Sequence, residues 1–220
     1  MAASSKSFTV ALDGPAASGK GTLGRLIADH YGFAYLDTGS LYRGVAWLML
    51  EAGADPANEE AAGMTARAYS QKALEGANLR TAEIAAAASK VAAIPAVRAA
   101  LLDFQREFAV SPPEGEPGAV LDGRDIGTVV CPDADLKFFV VADPEIRAKR
   151  RFLELKLSRP GVTEEGVLAD LQIRDARDAA RPDAPMVQAD DAELLDTTHL
   201  TIEAAFAAAR RAIDGIFQPE

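Results

Sequence analysis

The sequence has few of the residues that cross-link secreted proteins or hold metal ions. Cys131 is its single cysteine, so no disulfide can form within the chain, and we expect a reducing compartment. The two histidines, His30 and His199, are isolated in the sequence. Neither stands at a spacing typical of a metal site.

Long apolar runs are also missing. No uninterrupted apolar stretch approaches the roughly twenty residues that span a bilayer. Residues 1–7 contain no apolar segment of the kind found in a signal peptide. We therefore expect no membrane association, no leader and a cytoplasmic location.

The chain lacks an excess of basic residues. It has 23 Lys and Arg against 33 Asp and Glu, a net charge of −10. This balance argues against a protein that coats nucleic acid polymers, so any affinity for phosphate must be local. With 220 residues, 49% of them hydrophobic, the chain can bury a core as one domain.

A glycine-bounded loop is the clearest motif that is present. The run Phe8-Thr9-Val10-Ala11-Leu12 precedes it, a helical pattern follows it, and the loop itself reads Gly14-Pro15-Ala16-Ala17-Ser18-Gly19-Lys20-Gly21-Thr22. Between a strand and a helix, such a loop turns backbone N–H groups toward a polyphosphate. Lys20 would add a charge on the outer phosphates, and Thr22 a hydroxyl near Mg²⁺. The strict pattern has Ser or Thr directly after the lysine, where Gly21 stands here. An ordinary turn is the alternative, which the context disfavours.

Strand and helix patterns alternate along the rest of the chain. Strand-like segments lie at 33–36, 119–121, 136–141 and 192–196, and helical patterns at 41–52, 81–93 and 201–217, after Pro95, after Asp143 and after Thr163. This alternation predicts an α/β fold with a central parallel sheet of about five strands and helices on both faces.

Charged residues cluster in places that suit a ligand. Asp122-Gly123-Arg124-Asp125 follows a buried strand, where open α/β sheets bind ligands; a surface turn is the alternative. Arg43 stands near a helix N-terminus, a poor place for a cation unless it meets an anion; a solvated arginine explains it equally well.

Two helical patterns carry charges on one face. Arg147, Arg150 and Arg151 share a face, which is usually a solvated one. Arg174, Asp178 and Arg181 also share a face. From the pattern alone a salt-bridged helix surface is the favoured explanation.

Taken together, the motifs resemble the nucleoside monophosphate kinases, and most closely the bacterial cytidylate kinases. The similar segments, in order, are the loop ending Gly19-Lys20-Gly21-Thr22, then Asp37-Thr38-Gly39-Ser40-Leu41-Tyr42-Arg43, Ala88-Ser89-Lys90-Val91-Ala92, residues 122–130, and Arg174-Asp175 with Asp178 and Arg181. The resemblance covers nearly the whole chain. It implies the three-layer P-loop kinase fold and, in pyrimidine nucleotide metabolism, Mg²⁺-dependent transfer of the γ-phosphoryl group of ATP to CMP or dCMP.

The resemblance also implies residue roles. Residues 14–22 would bind ATP, with Thr22 near the metal. The expected catalytic residues are Lys20, Arg124, Arg150 and Arg181. The expected CMP-binding residues are Thr38, Arg43, Ser89, Arg98, Asp122, Arg124, Asp125, Arg174, Asp178 and Arg181. Of these, Arg43, Arg124 and Arg181 would grip the acceptor phosphate. Ser89, Arg98 and Asp125 would read cytosine, and Arg174 and Asp178 would lie near the sugar.

The same resemblance divides a single domain into segments. It implies a core at about 7–54 and 118–220, an acceptor-binding segment at 55–117 and a lid at 152–182, and we expect a monomer. Many bacterial members carry a longer insert between Gly53 and Thr81. This chain lacks the strand alternation of that insert, so we predict a helix between residues 55 and 80.

Two other functions remain open on the sequence. One is a P-loop kinase for another small phosphorylated acceptor, such as UMP. The other is a nucleotide-binding switch without phosphoryl transfer. The chain has no Asn-Lys-x-Asp motif for reading guanine, and a switch does not need a second set of arginines.

Overall fold

A single parallel sheet forms the centre of the protein. The computed structural model describes residues 7–70, 74, 77–79, 81–157 and 159–218. Its strands are β1 (Phe8–Asp13), β2 (Ala34–Asp37), β3 (Gly118–Asp122), β4 (Leu136–Val141) and β5 (Glu193–Asp196). They pair in the order β2-β3-β1-β4-β5, all parallel. The predicted five-stranded parallel sheet is confirmed.

Helices connect the strands. They are α1 (Lys20–Tyr31), α2 (Thr38–Glu51), α3 (Glu59–Arg67), α4 (Ala82–Val91), α5 (Pro95–Val110), α6 (Pro144–Leu155), α7 (Glu164–Ala179) and α8 (Ile202–Asp214), with a π-helical turn at Ile126–Val130. Threonines 81, 163 and 201 cap α4, α7 and α8 with their side chains, which satisfies N–H groups at those helix starts. In the part of the chain that the structure describes, no single helix has the length and hydropathy of a bilayer span. Helix α4 and Pro95–Gly115 reach that length and hydropathy only when they are taken as one segment, which is bent by 98°.

The sheet is covered on both faces because successive strand residues point to opposite sides. Val10 and Leu12 of β1 pack with α1 and α8 on one face. Ala11 packs on the other face with the end of α5 and the π-helical turn, through Ala109 and Ile126. The predicted three-layer arrangement is therefore confirmed, and both faces of β1 lie in the core.

A separate helical cluster contains α2, α3, α4 and the first half of α5. Its core includes Leu41, Val45, Val91 and Val97, all almost fully buried. Helix α3 confirms the prediction of a helix within 55–80, and no described residue of that range lies in a strand. Residues 71–73, 75, 76 and 80 fall outside the described part.

Helices α6 and α7 pack against each other. Ala148, Leu155, Val167 and Leu171 are buried between them. Ala16, from the loop after β1, packs against the same cluster. This contact places the α6–α7 pair directly over the glycine-bounded loop.

Candidate active site

The loop between β1 and α1 has a backbone conformation that requires glycine. Gly14 has φ +135°, and a Cβ there would lie 2.1 Å from the carbonyl oxygen of Val140 in β4. Ala17 and Gly19 also have positive φ, 60° and 94°. Left-handed residues in such a loop turn successive N–H groups into a concave, anion-binding surface.

Side chains outside the loop hold its carbonyl groups. The three contacts are Lys20 Nζ to Pro15 O at 3.1 Å, Arg147 Nη1 to Ala16 O at 3.2 Å, and Thr197 Oγ1 to Ser18 O at 2.8 Å. These donors fix three carbonyl groups of the loop, those of Pro15, Ala16 and Ser18. The structure thus supports the interpretation of residues 14–22 as a phosphate-binding loop.

Lys20 is buried in this loop, with 5% of its surface exposed. Its Nζ lies 3.6 Å from Oδ1 of Asp122, at the end of β3. Burial, together with the nearby Arg124 guanidinium, lowers the pKa of Lys20 to about 8. An anionic group entering the loop would oppose both effects and favour the charged ammonium.

A buried carboxylate gathers three arginines beside the loop. Asp178 of α7 is 1% exposed. It forms an ion pair with Arg181, accepts from Arg124 Nε at 3.2 Å and lies 3.9 Å from Arg174 Nε. Burial alone would raise the pKa of Asp178, but the three guanidiniums lower it. The salt-bridged surface favoured from the sequence is therefore wrong: this cluster is buried and includes Arg124 from a distant segment.

A second ion pair joins α5 to the loop after β3. Asp125 is 5% exposed and pairs with Arg98, whose guanidinium also lies 5.8 Å from the ring centre of Tyr42. Burial raises the pKa of Asp125, against the lowering effect of Arg98. Residues 122–125 are thus part of a buried polar cluster and not a surface turn.

Ser89 and Thr38 lie at the edge of the same region. Ser89 is buried in α4, and its Oγ accepts from Arg177 Nη1 at 2.9 Å. Thr38 is buried at the start of α2 and donates to the Asp122 carbonyl at 2.8 Å. Helix α2 begins at Thr38, earlier than the predicted start at residue 41, so this hydroxyl sits in its first turn.

The two other predicted arginines have partners of their own. Arg43 Nη2 binds Asp37 Oδ2 at 2.7 Å, so the anion that this arginine meets is the carboxylate at the end of β2. Arg150 binds Thr197, with Nη2 at 2.7 Å from its carbonyl oxygen. Thr197 in turn binds the Ser18 carbonyl of the loop, so Arg150 contacts the loop through Thr197.

Sequence reasoning missed several residues of this region. Arg147 was noted, but the solvated face expected for it is wrong: it is 5% exposed, and its Nη1 lies 2.7 Å from Asp175 Oδ2. Arg177 and Asp13 went unremarked. Of these, only Asp13 could have been found from the sequence. It is a carboxylate at the end of an apolar strand, directly before Gly14, and ligands bind at the carboxyl ends of parallel strands.

Comparison with known proteins decides the family. The sequence model that describes the cytidylate kinase family matches residues 10–214 of this chain. This chain belongs to the cytidylate kinase family. A cytidylate kinase from Rhodospirillum rubrum is 56% identical over 200 residues, 91% of this chain and 94% of that protein. One from Azorhizobium caulinodans is 57% identical over 201 residues, 91% and 95% of the two chains.

Likeness to solved structures concerns the fold. An uncharacterized protein from Eubacterium ventriosum superposes with a TM-score of 0.54 at 14% identity, covering 94% of this chain and 98% of that one. At this identity the match supports the three-layer architecture and carries nothing about substrate.

The donor atoms at the loop of this cytidylate kinase family member fit a nucleotide-bound magnesium ion. Mg²⁺ prefers oxygen ligands and usually takes few from the protein, the rest being phosphate and water. Thr22 is an exposed residue in the first turn of α1, so an ion that arrives with a nucleotide can reach it from solvent. The described residues contain no cluster of three or more His, Cys, Asp or Glu suited to a metal held by protein alone.

Proposed function

We propose that this protein transfers the γ-phosphoryl group of ATP to CMP or dCMP, giving ADP and CDP or dCDP. The observation that carries the proposal is the position of Lys20, 3.6 Å from Asp122, at the ends of the paired strands β1 and β3. Arg124 and Asp125 directly follow β3. A donor phosphate in the loop and an acceptor held by these residues would therefore meet at one edge of the sheet.

The arginines around Asp178 suit the acceptor phosphate. One carboxylate, that of Asp178, balances Arg124, Arg174 and Arg181, so the cluster keeps an excess of positive charge. A phosphate would supply the balancing charge, with Arg43 approaching from α2. Asp178 would then be available to accept hydrogen bonds from sugar hydroxyls.

The Arg98–Asp125 pair and Ser89 suit the cytosine edge. Cytosine offers an amino group beside two acceptors, which a carboxylate, a guanidinium and a hydroxyl complement. Uracil carries a carbonyl in place of the amino group, so Asp125 would face an acceptor. Unpaired polar groups of this kind can reject a substrate analogue strongly.

Catalysis would consist of alignment and charge neutralisation, because phosphoryl transfer needs little covalent help from the protein. Residues 14–22 would bind the ATP phosphates, Lys20 and Arg181 would stabilise the transferred group, and Thr22 would help to hold the Mg²⁺ that accompanies ATP. The segment at 152–182 acts as a lid that excludes water. Arg150, just before this segment, would reach the phosphates only after moving away from Thr197.

The test is ADP formation from Mg²⁺-ATP with CMP, dCMP, UMP, AMP, GMP or no acceptor. We expect turnover largely confined to CMP and dCMP. Asp125→Asn should reduce the preference for CMP over UMP, whereas Asp170→Asn, on the exposed side of α7, should leave it unchanged. Equal use of CMP and UMP by the unaltered protein would contradict the assigned base site, and no turnover with any acceptor would restore the switch hypothesis.

The proposal keeps the remaining expectations from the sequence. The protein acts in the cytoplasm as a monomer on diffusible nucleotides, and residues 55–117 form its acceptor-binding segment. Light scattering at assay concentration measures the mass directly. A dimer would change the assembly without changing the reaction.

A further inference from the structure

Asp13, the last residue of β1, binds the backbone of the loop after β3. It is 5% exposed. Its Oδ1 accepts the N–H of Ile126 at 2.8 Å, and its Oδ2 accepts the N–H of Gly127 at 2.7 Å. These N–H groups open the π-helical turn, where they have no partner within the turn itself. Asp13 therefore caps that turn with both carboxylate oxygens.

The same loop is attached to β1 at its other end. The N–H of Gly123 donates to the carbonyl of Leu12 at 2.8 Å. Between this contact and the Asp13 carboxylate lie only Arg124 and Asp125. The two residues with the largest proposed part in acceptor binding are thus held between two attachments to the strand that carries the phosphate-binding loop.

We propose that Asp13 is a positioning residue for the acceptor site, whose ionised carboxylate fixes the backbone so that Arg124 and Asp125 meet the acceptor nucleotide. Asp13 acts through that backbone and touches no substrate. The inference rests on the proposed function, because it takes the roles of Arg124 and Asp125 from there. It predicts that loss of the carboxylate weakens acceptor binding more than ATP binding.

Burial makes this carboxylate costly to keep ionised. Burial raises the pKa of Asp13 to about 6, although the two N–H groups and Lys20 lower it and Asp125 adds to the rise. Two basic side chains also lie at this turn: Lys137 directs its Nζ to Pro132 O and Asp191, and Arg106 donates to the carbonyl groups of Val129 and Val130. Burial raises the pKa of the Cys131 thiol to about 11, so this thiol stays neutral near pH 6. Ionised above about pH 6, Asp13 accepts both bonds; protonated below it, one oxygen becomes a donor and one bond is lost. Acceptor use should therefore fall as pH decreases through 6.

The experiment compares Asp13→Asn with the unaltered full-length protein. The amide keeps the shape but accepts only through Oδ1 and presents an NH₂ group to an N–H donor. We expect KM for CMP to rise about tenfold, the effect of one lost buried hydrogen bond, with KM for ATP changed less than twofold. The decline of kcat/KM for CMP below pH 6 should also flatten. Asp135→Asn is the matched control, since Asp135 accepts the Thr9 N–H at 2.8 Å at the opposite end of β1.

Two results would overturn the inference: unchanged CMP kinetics and pH profile in folded Asp13→Asn, or equal losses for ATP and CMP. If that variant does not fold, the unaltered protein provides the second test, because protonation of Asp13 near pH 6 removes one of its two backbone bonds. KM for CMP should rise as the pH falls through 6 while KM for ATP changes less, and parallel pH profiles for the two substrates count against Asp13. Failure of the unaltered protein to use CMP would instead refute the proposed function.

Discussion

Replacing Gly14 by alanine tests whether the phosphate-binding loop depends on its close approach to β4. The new Cβ would lie 2.1 Å from the Val140 carbonyl oxygen, so the loop must move by roughly 1 Å to reach ordinary contact. Positive φ adds strain of about 1–3 kcal/mol, and overpacking against rigid backbone adds about 1–3 kcal/mol. We expect Gly14→Ala to lose about 4 kcal/mol of unfolding free energy, a large share of the roughly 5–15 kcal/mol typical of a domain.

A shift of the loop would also be visible in activity. If the loop moves to relieve the overlap, its N–H groups leave their positions around the phosphates, and a 1 Å displacement can cost about a hundredfold in rate. Urea unfolding and kcat/KM for ATP measure the two consequences. We expect both to change, because neither the backbone of β4 nor that of the loop can yield without cost.

Gly32→Ala is the matched control. Gly32 ends α1 with φ +65°, but a Cβ there meets nothing within 4 Å. Its cost should be the left-handed strain alone, about 1 kcal/mol, with unchanged kcat/KM for ATP. If the Gly14 and Gly32 variants unfold at the same urea concentration and use ATP equally well, the close approach of Gly14 to Val140 does not determine the stability or the ATP use of this loop.

Two further predictions concern charge. Because the pKa of Lys20 is lowered to about 8, its ammonium is present below that pH and lost above it. ATP affinity measured without acceptor should therefore fall from pH 7 to 9. Lys20→Met should bind ATP weakly and without this fall, and the same pH profile in both proteins would refute the role of Lys20. Asp178→Asn leaves three guanidiniums around a neutral group and should lower the unfolding free energy by about 3 kcal/mol, with CMP raising its melting temperature more than that of the unaltered protein. Glu154→Gln, in an exposed pair with Arg151, should cost less than about 1 kcal/mol; equal losses in the two variants would contradict the buried cluster.

The sequence by itself determined the elements and the phosphate-binding loop. Apolar runs, helical spacing and the capping threonines act over a few residues, so Phe8–Asp13, Pro95–Val110 and Glu164–Ala179 could be predicted within a few positions. The glycines of the loop could also be recognised, because their spacing encodes a local conformation. The resemblance to the cytidylate kinases pointed to the same loop residues, but it did not indicate which contacts hold them in place.

Only the tertiary structure decided which charges meet. Arg124 and Asp178 are far apart in sequence but 3.2 Å apart in space, and Asp13 reaches the loop after β3 only because β1 and β3 are neighbours. A helix pattern places Arg174, Asp178 and Arg181 on one face without telling whether that face is solvated or buried. Burial depends on the packing of distant segments, and it turns a pair worth little on a surface into the charged cluster of the candidate site.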